Sequence, residues 1–318
     1  MGQLVKLYDY ISRYETDCFH YPSSFIRLKK KQWEQLRSLW EEGQWPVGMD
    51  ETLDAIQDQN LEKEKFWTRI KKFRFRKKEE EDDCSSGNAN IAGDEFSLLF
   101  QDFRKRDSLV PKDLEELKIH FLDELFQVQL LWASSTLTHR SYVDSSFYRD
   151  QRLKYFLQRF PDTILVFYKP IFLLKKAPVE SDIILLTPDH IFVLAFLEEN
   201  DDEVFYGADG RFWEKQTEEG RKKFLNPTIS LQRTENIIRQ LLSIHDVAMP
   251  VSKIVLSRNG YIDYPSAPFG LMIVDLNNYD EWFQKMRNLR KPIKHQQLKA
   301  AKAMLSKCKT NAVIRFNS

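Results

Sequence analysis

A chain of 318 residues with 42% hydrophobic and 13% aromatic content can bury a substantial core, which excludes the disordered and fibrous classes. Its 48 basic and 47 acidic residues leave a net charge of +1, so the overall field announces no nucleic-acid partner and any electrostatic surface has to be local. Three cysteines, Cys18, Cys84 and Cys308, are odd in number and lack CxxC spacing, which argues against a disulfide framework or a zinc site and for a reducing compartment.

In chain order, Leu4, Leu7, Tyr8, Ile11 and Tyr14 stand at helical spacing, which predicts an amphipathic helix over residues 3 to 14. Ser23 or Ser24 is placed to cap a second helix bearing Phe25, Leu28, Trp33, Leu36, Leu39 and Trp40, with Arg27, Lys29, Lys30, Lys31 and Arg37 on its other side. Together they make a helical N-terminal region that offers a docking face for a protein partner. The segment Lys63 to Lys78 interleaves Lys63, Lys65, Arg69, Lys71, Lys72, Arg74 and Arg76 with rings such as Trp67. Bases stack on rings while Lys and Arg meet phosphates, so this is the candidate nucleic-acid patch. An acidic run, EEEDD, and a Ser/Gly/Asn-rich stretch follow, giving three parts: residues 1–78, a linker at 79–93, and a main domain at 94–318.

Asp107 or Ser108 is placed to cap a long helix with Leu114, Leu117, Phe121, Leu125 and Val128 along one stripe. A shorter helix follows near Tyr148 to Phe160, then the strand-like run TILVFYKPIFLL. The runs Ile183 to Leu186 and Ile191 to Leu197 flank a Thr-Pro-Asp-His turn and predict a central hairpin of buried strands. Asp182 stands alone at its head. Asp209-Gly210 signals a tight turn between Val204 to Tyr206 and Arg211 to Glu214. Asn226 or Thr228 starts the next helix, strands follow at Ile254 to Ser257 and Leu271 to Asp275, and the tail from Asp280 to Lys309 is helical with a break at Pro292 and a basic end. The expected class is α/β (α+β). No apolar run reaches the roughly 18 to 20 residues of a membrane span, and the chain's start carries no signal-peptide core, so the expected location is cytoplasmic.

The order of RDQRLKYFLQRF, TILVFYKPIFLLKKAPVESD, HIFVLAFLEE, EVFYGADGRFWEKQ, NPTISLQRTENIIRQLLS and SKIVLSRNG resembles the NERD family, the nuclease-related domains of the PD-(D/E)XK superfamily. That resemblance implies a restriction-endonuclease-like mixed sheet flanked by helices and an Asp, a Glu and a Lys around a divalent cation. Asp182 matches the Asp. The Glu and Lys positions hold Ala195 and Leu197, and Arg149-Asp150 stands where the family shows Gly-Glu. The resemblance therefore implies a degenerate active site, with Asp182 vestigial and the protein kept for nucleic-acid or protein binding, and with no cofactor. The alternatives are an active nuclease that uses Asp182 as metal ligand with Glu198 or Glu199 as migrated carboxylates, a Lys such as Lys169 or Lys215, and Mg²⁺ or Mn²⁺, or an interaction scaffold built on the N-terminal helices.

Overall fold

The computed structural model describes residues 1–43, 110–174, 177–198, 203–217 and 220–315. The basic-aromatic segment, the acidic linker with both domain boundaries drawn around it, Cys84 and Glu199 lie outside the described residues. The chain divides into two compact units, one formed by Met1–Pro22 with Gln129–Ser318 and the other by Ser23–Val128.

In the first unit a six-stranded mixed sheet forms the centre. It is built from β1 (Gln3–Leu7), β3 (Leu165–Tyr168), β6 (Ile183–Leu186), β7 (Ile191–Phe196), β11 (Val251–Leu256) and β13 (Leu271–Val274), in that spatial order. Strands β6 and β7 pair antiparallel with Ile183 opposite Leu194, forming the hairpin expected from their apolar runs. Strand β3 is antiparallel to β6, whereas β1 runs parallel to β3, and β11 runs parallel to both β7 and β13. The architecture is therefore mixed α/β. Strand β6 and its neighbour β3 are buried at every position, as their unbroken β-branched and aromatic runs require.

The first strand replaces the amphipathic helix expected over residues 3 to 14. Every residue of β1 is buried, so apolar side chains at 4, 5 and 7 serve both faces of a strand and mimic helical spacing. Its edge is covered by polar side chains: Gln129 accepts from the Leu4 N–H at 2.6 Å and donates to the Gly2 carbonyl at 2.9 Å. The buried Lys6 ammonium reaches Glu15 at 2.6 Å, the Tyr10 carbonyl at 2.7 Å and Thr310 at 3.1 Å. What remains of the helix is one turn, α1 (Arg13–Thr16), capped by Ser12.

A second sheet, of order β10 (Gly220–Leu225), β9 (Phe212–Thr217), β8 (Val204–Tyr206) and β12 (Tyr261–Asp263), contains the predicted turn at Asp209-Gly210. Two small pairs complete the strands: β4 (Ile171–Leu174) with β5 (Ala177–Glu180), and β2 (His139–Arg140) with β14 (Val313–Ile314). The run TILVFYKPIFLL is thus two strands rather than one. Lys169 breaks it with a φ of 47°, in the left-handed region that ordinary side chains disfavour, and Pro170 cannot donate to a ladder.

Helix α2 (Tyr21–Glu41) and α3 (Leu114–Trp132) have most of their residues in the second unit. In the second unit Trp33 packs against Phe121 with ring centroids 5.2 Å apart, and the Trp40 indole donates to the Pro111 carbonyl at 2.8 Å. The first unit also holds α4 (Ser145–Arg149), α5 (Gln151–Arg159), α6 (Pro227–Ile244), α7 (Tyr279–Arg287) and α8 (His295–Leu305). No helix among the described residues is long and apolar enough to cross a membrane. Cys18 and Cys308 are buried free thiols, and burial pushes both up to about 12.

Candidate functional site

Asp182 precedes β6, and continuing the hairpin register places it opposite Ala195 on β7. The C-terminal ends of β3 and β7 therefore lie beside the N-terminal end of β6, and the first turns of α5 and α6 close over them. A cavity of about 330 Å³ opens at this place, lined by Asp182, Ala195 and Leu197 together with Arg152, Lys169, Ser230 and Arg233. The strand ends explain the location: a mixed sheet leaves a crevice where neighbouring chain paths diverge beyond the carboxyl ends of its parallel strands.

Each wall has a local cause in the sequence. Asn226 caps α6: its side chain accepts from the Thr228 N–H at 2.9 Å and donates to the carbonyls of Ala208 at 3.2 Å and Gly210 at 2.8 Å. Pro227 takes the first helical position, where a missing N–H costs nothing. That anchored turn presents Ser230, Arg233 and Thr234 at helical spacing. Asp150 caps α5 by accepting from the Arg152 and Leu153 N–H groups, and its other oxygen accepts from the Tyr168 hydroxyl at 2.6 Å. The acidic residue that stands in the family's helix position is thus engaged as a cap, which fixes Arg152 at the start of its helix.

The Asp182 carboxylate is held by neutral groups. Ser230 Oγ donates to one oxygen at 3.0 Å and Thr234 Oγ1 to the other at 3.0 Å, while the Asp182 N–H donates to the Thr234 hydroxyl at 3.4 Å. Burial raises its pKa above the usual aspartate value, and the two hydroxyls and Arg233 pull part of the way back. Arg233 also donates to the Glu180 carbonyl at 3.2 Å, and Arg152 donates to the Glu198 carbonyl at 2.8 Å with its guanidinium 5.3 Å from the centre of the Phe196 ring. Three cations and one desolvated carboxylate therefore share a small cavity, which the exposed Glu180 also lines.

Glu198 lies elsewhere. Arg258 forks it, with Nε to Oε1 at 2.6 Å and an Nη to Oε2 at 2.8 Å, and the Arg258 N–H adds a third bond at 3.0 Å. It is engaged as an ion pair and is absent from the cavity's lining. Among the described residues no group of three or more His, Cys, Asp or Glu side chains is arranged to hold a metal ion, so Asp182 has no such companions there. Lys169 joins the cavity and Lys215 does not. Arg152, Ser230 as a partner of Asp182, Thr234 and Arg233 were not singled out as site residues by sequence reasoning; the signal available was the i, i+3, i+4 spacing of 230, 233 and 234 behind the Asn-Pro cap.

Comparison with known proteins corrects the family expectation. No family model matches the chain, and no solved structure matches it. A curated protein of Geobacillus stearothermophilus named RNA 2',3'-cyclic phosphodiesterase is 38% identical over 130 residues, which is 41% of this chain. The chain covers 36% of that relative's length. With no family model matching and a relative of different name, the assignment to nuclease-related domains falls, and with it the degenerate nuclease, the metal-dependent nuclease and the scaffold roles derived from it.

Proposed function

We propose that the chain is a phosphodiesterase acting on RNA terminal cyclic phosphates and that the cavity at Asp182 is where the phosphate binds. The observation that carries this is the convergence of Arg152, Lys169 and Arg233 on one cavity with a carboxylate whose proton affinity burial has raised. Cations of this kind offset the charge that builds on a phosphoryl group under attack. The name of the partial relative supports the same substrate class.

In this mechanism the phosphate sits among the three cations, and Arg guanidinium groups supply donors that match its oxygens in pairs. Asp182, in its ionised form, accepts a proton from the attacking water. A carboxylate of raised pKa is the better base for that step. The new bond forms between water oxygen and phosphorus, one ring P–O bond breaks, and the ribose oxygen leaves with a proton from solvent. Ser230 and Thr234 hold the carboxylate in place through hydroxyls that do not neutralise it. No cofactor is called on, and the enzyme acts in the cytoplasm.

Nucleoside 2',3'-cyclic monophosphates are the test substrates. The wild-type protein should open them to a monoester, and Asp182→Asn should lower kcat at least a hundredfold, the low end of what a positioned base contributes, about 10² to 10⁴. Failure of the wild type to hydrolyse any of the four overturns the proposal, as does full activity in the variant.

A further inference from the structure

A second, larger concavity of about 740 Å³ runs along α6 toward β13. Arg233 lines both it and the Asp182 cavity, so the two are neighbours at that side chain. Its floor on α6 is a stripe of amides at helical spacing, Gln232, Asn236 and Gln240, and Gln232 donates to Asn236 at 3.0 Å. Phe269 also lines it and is fully exposed, so its ring has no packing role in the fold. A fully solvated phenyl ring has a hydrophobic cost unless something covers it.

We propose that this groove is the track for the nucleotides preceding the terminal cyclic phosphate, with a base stacked on Phe269 and base edges meeting the α6 amides. The inference rests on the proposed phosphodiesterase reading, which puts the terminal phosphate beside Arg233. From there the groove along α6 is the neighbouring surface onto which the RNA strand would run. The chemistry suits single-stranded RNA: stacking accepts any base, and amides offer a donor and an acceptor to base edges. Arg233, at the junction, is placed to meet the phosphate that links the terminal nucleotide to its neighbour.

The experiment compares KM for a cyclic mononucleotide with KM for a tetranucleotide ending in a 2',3'-cyclic phosphate, in the wild type, in Phe269→Ala and in Asn236→Ala with Gln240→Ala. The track predicts a KM about tenfold lower for the tetranucleotide, the scale of one base stacked on a ring, and near parity in Phe269→Ala. The amide double variant, which leaves Phe269 in place, should lose part of the length advantage and keep the rest, and melting temperatures of both variants should match the wild type. Hydrolysis of both substrates with equal KM in the wild type overturns the track and leaves the phosphodiesterase standing, and so does a length advantage that survives both sets of changes. Hydrolysis of neither substrate removes both proposals together.

Discussion

The hairpin β6–β7 carries a carboxylate at each end of its story, and the two are treated in opposite ways. Asp182 meets hydroxyls, which stabilise its charge through hydrogen bonds without supplying a counter-charge in contact. Glu198 meets a guanidinium that lies over the rings of Tyr155 and Phe196, 4.5 and 5.3 Å from their centres. The fork raises the pKa of Arg258, with the Glu198 hydrogen bonds as the main cause. A carboxylate that is to move a proton has to be desolvated but unpaired; one that is to hold a loop has to be paired. Sequence alone makes these residues look equivalent, since each is an acidic side chain at a strand end.

The largest break in that comparison comes from Glu198→Ala. Arg258 would remain over two aromatic rings with no counter-charge, and the fold should lose about 2 kcal/mol, below the roughly 3–5 kcal/mol of a fully buried pair because solvent still reaches Arg258. Urea unfolding measures it. Activity per folded molecule should be retained, and a variant that is fully stable yet inactive would place Glu198 in the chemistry after all.

A smaller effect follows from removing the hydroxyls. Ser230→Ala and Thr234→Ala should each cost about 1 kcal/mol, the worth of a typical hydrogen bond, and each should raise the Asp182 pKa further because burial then acts with less opposition. In the pH dependence of kcat/KM the acidic limb should move to higher pH in both variants. An unmoved limb would mean that another group sets it.

The smallest effect is a slope in stability with pH. The Asp182 pKa is raised in the folded state, so between the ordinary aspartate value of 3.8 and its folded value the native protein binds more protons than the unfolded chain, and stability falls as pH rises through that window. Asp182→Asn removes this contribution, so the difference in unfolding free energy between wild type and variant should shift in the variant's favour from the acid side to the neutral side. A difference independent of pH would show that Asp182 is not desolvated in solution.

Much of the frame was legible in the chain. The buried runs of β6 and β7, the Asp209-Gly210 turn and the Asn226-Pro227 helix start all rest on local rules: β-branched runs, a turn dipeptide, and a cap with proline behind it. Residues 3 to 14 failed for an identifiable reason. A strand buried on both faces carries apolar side chains at neighbouring positions, and two of them, Leu4 and Leu7, happen to fall on a helical stripe. The order of strands and helices also resembled a nuclease family that the comparisons do not support, because a succession of elements records layout and says little about chemistry.

Local sequence determined the hairpin strands β6 and β7, that Asp182 precedes a buried strand, and that Asn226 with Pro227 opens a helix, since each follows from side chains a few residues apart. Only the tertiary structure decided that Arg152, Lys169 and Arg233, from three separate elements, meet at Asp182 while Glu198 is taken by Arg258, 60 residues further along. The reason is that charge neighbours in space are set by sheet order and crossover connections, which bring together residues that share no period or spacing in the chain.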